Sequence, residues 1–185
     1  MGAGNVEKLK SSDVFSYFFE DKLVELNKKY ESLYELLTER LEKDLKRVYE
    51  IENMSFNQSY GINMFQQLYE MGIGFLVAEE EGYVIGYVMF WIKYENHGHI
   101  ISIAVDKNYR RAKAGTQLLI KAISILSLLN LDVIYLEVNE KNTGAVEFYK
   151  TFNFEIDRKV PGYYENGDGA IIMYLKLNRG KIPTK

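Results

Sequence analysis

The sequence predicts a mixed α/β fold, in which helices flank a mixed β-sheet with a parallel pair of strands at its centre. Three observations predict it. His99–Val105 is almost wholly apolar, as expected of a strand buried on both faces. After it, Ala114, Leu118, Leu119, Ala122, Ile123, Leu126 and Leu129 recur at helical spacing. A β-branched strand, Val133–Val138, follows at once. Strand, helix and strand in that order bring the chain back to the same sheet as a parallel neighbour, through a right-handed crossover.

The other elements follow along the chain. From Asp13 to about Tyr30 the residues Val14, Phe15, Phe18, Phe19, Leu23, Leu26 and Tyr30 share one helical face, with Ser11, Ser12 and Asp13 as N-cap candidates. Such a face packs on the domain or on a second copy. A short strand is expected around Leu33–Glu39 and a helix over Lys43–Glu52. Met54–Gly61 carries turn residues and no period. Gly74–Glu79 and Tyr83–Ile92 read as strands joined by a hairpin turn at Glu80-Glu81-Gly82. Asn130 is expected to end the long helix. A helix over Thr143–Thr151 and strands near Phe154–Val160 and Ala170–Leu177 complete the body.

The 185 residues are 47% hydrophobic, with 15 Tyr, 10 Phe and 1 Trp, enough to bury a core. A net charge of −3 leaves no basic excess for non-specific nucleic-acid binding. Cysteine is absent, which excludes disulfides, thiolate metal sites and a cysteine nucleophile. No metal-ligand spacing stands out, and no signal peptide or membrane segment is visible, so a cytoplasmic protein is expected.

One stretch concentrates chemistry. After Ile103-Ala104-Val105 come Tyr109-Arg110-Arg111-Ala112-Lys113-Ala114-Gly115-Thr116. A strand, a short basic turn and a helix N-terminus present backbone N–H groups, a positive dipole end and three cations to one point. Small residues at Ala112, Ala114 and Gly115 let a bulky anion approach the backbone. The pattern predicts a pyrophosphate site. On the residues alone, a basic turn that merely starts a helix is the simpler reading, because cations there oppose the dipole. A bound anion would remove that opposition.

Arg110-Arg111-Ala112-Lys113-Ala114-Gly115 resembles the acetyl-CoA signature of the GNAT N-acetyltransferases, with Lys113 where the first glycine is usual. Asn142-Thr143-Gly144-Ala145-Val146-Glu147-Phe148-Tyr149, followed by Phe152-Asn153-Phe154, is similar to that family's Asn-x-x-Ala-x-x-x-Tyr helix and the turn after it. Asn142, Ala145 and Tyr149 lie on one helical face. Within the family, Gly98–Val105, Ile134–Val138 and Gly162–Asp168 look most like protein N-terminal acetyltransferases. The resemblance spans residues 34–177, leaving a helical extension over 1–33 and a tail over 178–185. It implies a GNAT fold with a splayed central pair, acetyl-CoA as cofactor and protein N-termini as partners. It also implies that Ile103, Ala104, Val105, Arg110, Arg111, Ala112, Lys113, Ala114, Gly115, Thr116, Asn142 and Tyr149 hold acetyl-CoA.

The resemblance implies roles as well. Glu137 is the general base, with His99 sharing or relaying the proton, and Tyr149 protonates the thiolate. A backbone N–H near Ile103–Val105 polarises the carbonyl. Tyr60, Tyr163 and Tyr164 wall the acceptor site. From their own chemistry, Glu165 and Asp168 read either as solvated loop charges or as attractors of the amine, and His97 reads as a solvated loop residue. Without cysteine the acetyl group passes directly to the amine in a ternary complex. The rivals are a lysine or small-amine acetyltransferase of the same fold, and a non-catalytic coenzyme A-binding adaptor working through Phe15–Leu26. A homodimer or auxiliary subunit would engage the N-terminal helix.

Overall fold

The computed structural model describes residues 43–56, 61, 63–64, 67–68, 73–94, 96–129 and 131–177. The helix expected over Asp13–Tyr30, the strand around Leu33–Glu39, the wall residue Tyr60 and the helix stop Asn130 lie outside them. Helix α1 covers residues 43–55, and its inner stripe is Leu45, Val48, Ile51 and Glu52, spaced three and four apart. Six strands follow: β1 Gly74–Glu80, β2 Tyr83–Tyr94, β3 His97–Val105, β4 Val133–Asn139, β5 Glu155–Val160 and β6 Ala170–Lys176. Helix α2 (Ala114–Leu128) joins β3 to β4, and α3 (Thr143–Lys150) lies between β4 and β5.

The sheet order is β1-β2-β3-β4-β6-β5. Every neighbouring pair is antiparallel except β3 and β4, the parallel pair that α2 connects. Leu118, Leu119, Ala122, Ile123 and Leu126 of α2 form one core with Val88, Phe90, Ile100, Ile134, Leu136 and Met173. Each of these side chains larger than alanine contributes about 1.5–3 kcal/mol by leaving water. No helix among the described residues is long and apolar enough to cross a membrane.

Two expectations are corrected. Strand β3 is not buried on both faces: its burial alternates residue by residue. Its pairing with β2 slips at Ile101, between Phe90↔Ile100 and Met89↔Ser102, so the buried side changes there. Ile100 joins the core beneath α2, whereas Ser102 meets Glu52 of α1 and Tyr87 on the other face. His97 is not a loop residue. It opens β3, and its ring stands edge-on to Tyr135 with centroids 5.6 Å apart.

The segment after β3 is anchored before it reaches the basic turn. Asp106, 4% exposed, accepts the Asn108 N–H at 2.9 Å and pairs with Arg47 of α1. Arg47 also donates to the Val84 carbonyl at 3.2 Å and lies over the Tyr83 ring. The Asn108 amide and then the Arg47 guanidinium hold the Asp106 carboxyl below the usual carboxylate range. A lowered folded pKa stabilises fully above the unfolded value of about 3.9 and is lost as pH falls through the folded value. The wild type therefore loses thermal stability below about pH 4. Asp106→Asn melts several degrees lower at neutral pH and shows a flatter acid limb in calorimetry. An acid limb identical to wild type would remove Asp106 from this role.

Candidate active site

The parallel pair β3 and β4 stays together only from His97↔Val133 to Ile100↔Leu136. Beyond Ile100, β3 pairs only with β2, and beyond Leu136, β4 pairs only with β6. The strands therefore part, and Glu137 is the first β4 residue past the last paired position. Ile134, Leu136 and Val138 point into the core beneath α2, so Glu137 projects from the opposite face.

Glu137 is held by its neighbour strand. His99 Nε2 lies 2.5 Å from Glu137 Oε2, and both side chains are largely covered, at 13% and 20% exposed. Oε1 of Glu137 has no hydrogen bond to a described residue. Trp91 of β2, opposite His99 in the register, donates its indole N–H to His99 Nδ1 at 2.9 Å. Both nitrogens of His99 are thus engaged within the protein. Trp91 was missed by sequence reasoning, and nothing in its local sequence marks it.

Tyr149 of α3 approaches from the core side. It is 7% exposed, with its ring edge-on to Phe154 at 5.7 Å. Its hydroxyl makes no hydrogen bond to a described residue. It is also not sealed, since Ser55 Oγ is the single enclosed orphan among the described side chains. Burial, and then the nearby Tyr164, push its phenol well above the ordinary range, so it stays protonated.

Tyr163 and Tyr164 sit on the loop before β6, their rings edge-on with centroids 5.1 Å apart. Burial, and then the charge of Glu137, raise the Tyr163 phenol above its ordinary value. The loop is pinned from β4. Asp168 accepts from Asn139 Nδ2 and Asn166 Nδ2, each at 3.0 Å, and pairs with Lys141. The Gly169 N–H donates to Glu140 Oε1 at 3.1 Å, and a Cβ on Gly169 would come within 2.8 Å of that carboxylate. Asp168 thus holds the loop and is not free to draw an amine.

The basic turn leads into α2. Arg111 and Lys113 adopt left-handed φ of 71° and 66°, a conformation that costs a non-glycine residue about 1–2 kcal/mol. Lys113 sits at the N-cap but caps nothing with its side chain, and Gln117 is the first residue whose N–H bonds back, to Lys113 O. The N–H groups of Ala114, Gly115 and Thr116 have no partner among the described residues, as is usual in the first turn of a helix. Arg110 folds back, donating Nε to the Val105 carbonyl at 3.0 Å. Asn142 caps α3, accepting the Ala145 N–H at 3.1 Å, so its side-chain oxygen serves the helix.

A Cβ at Gly115 would meet only Val105 at 3.5 Å and Phe148 at 3.9 Å, ordinary contacts. Nothing among the described residues requires glycine there, and the small residue keeps the helix mouth clear. Gly115→Ala should keep or raise Tm, since alanine favours helix by up to about 1 kcal/mol, yet weaken acetyl-CoA binding in calorimetric titration. Unchanged affinity would remove the mouth of α2 from the cofactor site.

Residues 31–154 match the acetyltransferase (GNAT) family. An uncharacterized N-acetyltransferase of Methanocaldococcus jannaschii is 37% identical over 144 residues, covering 76% of this chain and 91% of its own. The N-alpha-acetyltransferase of Sulfolobus acidocaldarius is 33% identical over 147 residues, 72% of this chain and 88% of its own. The crystal structure of Ard1 from Thermoplasma volcanium superposes with a TM-score of 0.70 at 28% identity, covering 74% of this chain and 93% of that one. Matched over about two thirds of its length, this chain belongs to the acetyltransferase (GNAT) family.

Proposed function

We propose that the chain transfers acetyl from acetyl-CoA directly to the α-amine of a protein N-terminus. The observation that carries the reading is Glu137, set where β3 and β4 part, with Oε2 held by His99 and Oε1 left for an acceptor. The N-alpha-acetyltransferase relative aligns over most of its own length and supports an α-amine acceptor. The chemistry agrees. An α-amine has a pKa of about 7.7–8.0 and a lysine about 10.4, a gap worth roughly 3.4 kcal/mol. A single carboxylate base, acting directly or through water, suits the α-amine.

In this reading the N–H groups of Ala114, Gly115 and Thr116, with Arg111 and Lys113, hold the pyrophosphate. Acetyl-CoA supplies the activated acyl group as a thioester. The backbone of Ile103–Val105, past the last β4 pair, polarises the carbonyl, Glu137 takes the amine proton, and Tyr149 donates to the departing sulfur. Tyr163 and Tyr164 wall the acceptor. All these residues lie in the proposed catalytic body, residues 34–177. A cytoplasmic setting, and an auxiliary subunit or second copy on the N-terminal helix, belong to the same proposal.

Mass spectrometry of a peptide panel incubated with acetyl-CoA tests it. Mass added at α-amines is expected. Mass added only at lysines or small amines would overturn the acceptor assignment, and no added mass would leave a coenzyme A-binding adaptor.

A further inference from the structure

We infer that Trp91 is a positioning residue for the acyl transfer: its indole N–H selects the His99 tautomer that presents Nε2–H to Glu137. The inference rests on the proposed role of Glu137 as base. An indole nitrogen can only donate. At 2.9 Å from Trp91 Nε1, His99 Nδ1 must therefore carry the lone pair. A neutral imidazole has one N–H, which then sits on Nε2, 2.5 Å from Glu137 Oε2. The other tautomer would set N–H against N–H on one side and a lone pair against a carboxylate oxygen on the other.

Three strands are brought into line for this chain. Trp91↔His99 is a pair of the β2–β3 register, and His99↔Tyr135 is a pair of the β3–β4 register, two residues before Glu137. The indole and imidazole rings lie 6.4 Å apart, tilted by 41°. With Nδ1 occupied by Trp91 and Nε2–H donated to Glu137, His99 does not itself take the substrate proton. It holds Oε2, so that Oε1 faces the acceptor in one orientation. Trp91 touches no reacting atom and acts through His99.

Histidine-labelled ¹⁵N spectra of the wild type read the tautomer directly, and Trp91→Phe removes the N–H while keeping a ring beside His99. Expected are a single Nε2–H tautomer in the wild type and a mixture in Trp91→Phe. In that variant kcat falls about tenfold or more while the KM for acetyl-CoA stays within about twofold. In a Glu137→Gln background Trp91→Phe adds nothing further. A wild-type proton on Nδ1 overturns the proposal, even if the variant fails to fold. So does an unchanged tautomer in the variant, or a wild-type kcat. A Glu137→Gln enzyme with wild-type turnover would fail the base assignment, and the catalytic part of this proposal with it. A wrong His99 tautomer in an enzyme that needs Glu137 would fail Trp91 alone.

Discussion

Glu137→Gln lowers kcat by about two to three orders of magnitude and leaves acetyl-CoA affinity within about twofold. The substitution keeps the shape of the side chain, and its amide oxygen still accepts the His99 Nε2–H. The amide nitrogen then occupies the place of Oε1 and has no basic lone pair, so the amine keeps its proton. Affinity for the donor is spared because its proposed contacts lie at the mouth of α2, whereas Glu137 projects from the face opposite that helix. Thiol release measured across pH, paired with calorimetric titration of acetyl-CoA, separates the two effects. Wild-type turnover in the variant at every pH would remove Glu137 as the base.

Tyr149→Phe lowers kcat about tenfold to a hundredfold without loss of Tm. The hydroxyl has no described hydrogen-bond partner, so its removal strands no donor or acceptor. The ring contacts with Phe148 and Phe154 remain. The direction of its pKa decides how it works. A phenol ordinarily near 10 is pushed higher here by burial, while an ordinary thiol sits near 8.5. Full transfer of its proton to a thiolate runs uphill by at least about 2 kcal/mol. Tyr149 therefore stabilises the departing sulfur by donating a hydrogen bond. The wild-type rate should show no alkaline loss below about pH 10 attributable to this phenol. An alkaline limb near neutrality that disappears in Tyr149→Phe would overturn that account.

From β1 to β6 the order of elements was legible because each rests on local periodicity. The apolar repeat from Ala114 to Leu126 could only be a helix, and the hairpin around Glu81-Gly82 carries its own turn chemistry. The basic turn was legible for the same reason, as cations and small residues between a strand and a helix are adjacent in the chain. Asn142 shows the limit of such reading. Its oxygen caps α3, a role that its place in a family-like motif did not announce. Asp168 read as a solvated loop charge or an amine attractor, and it proves to be a pin reaching Asn139 and Lys141, far back in sequence.

By itself the sequence determined the order of strands and helices from β1 to β6, the parallel crossover through α2, the cationic turn and a chemistry without thiols. Only the tertiary structure decided that β3 and β4 part after Ile100, that Trp91 faces His99, and that Glu137 has one oxygen with no hydrogen bond to a described residue. The physical reason is register. Helical spacing and turns are settled by residues three or four apart, but a contact across strands depends on how two distant segments align. A slip of one residue would turn His99 to the other face of the sheet, away from both Trp91 and Glu137. The bulge at Ile101, which no local pattern announces, lets β3 bury Ile100 beneath α2 and Ser102 on the opposite face.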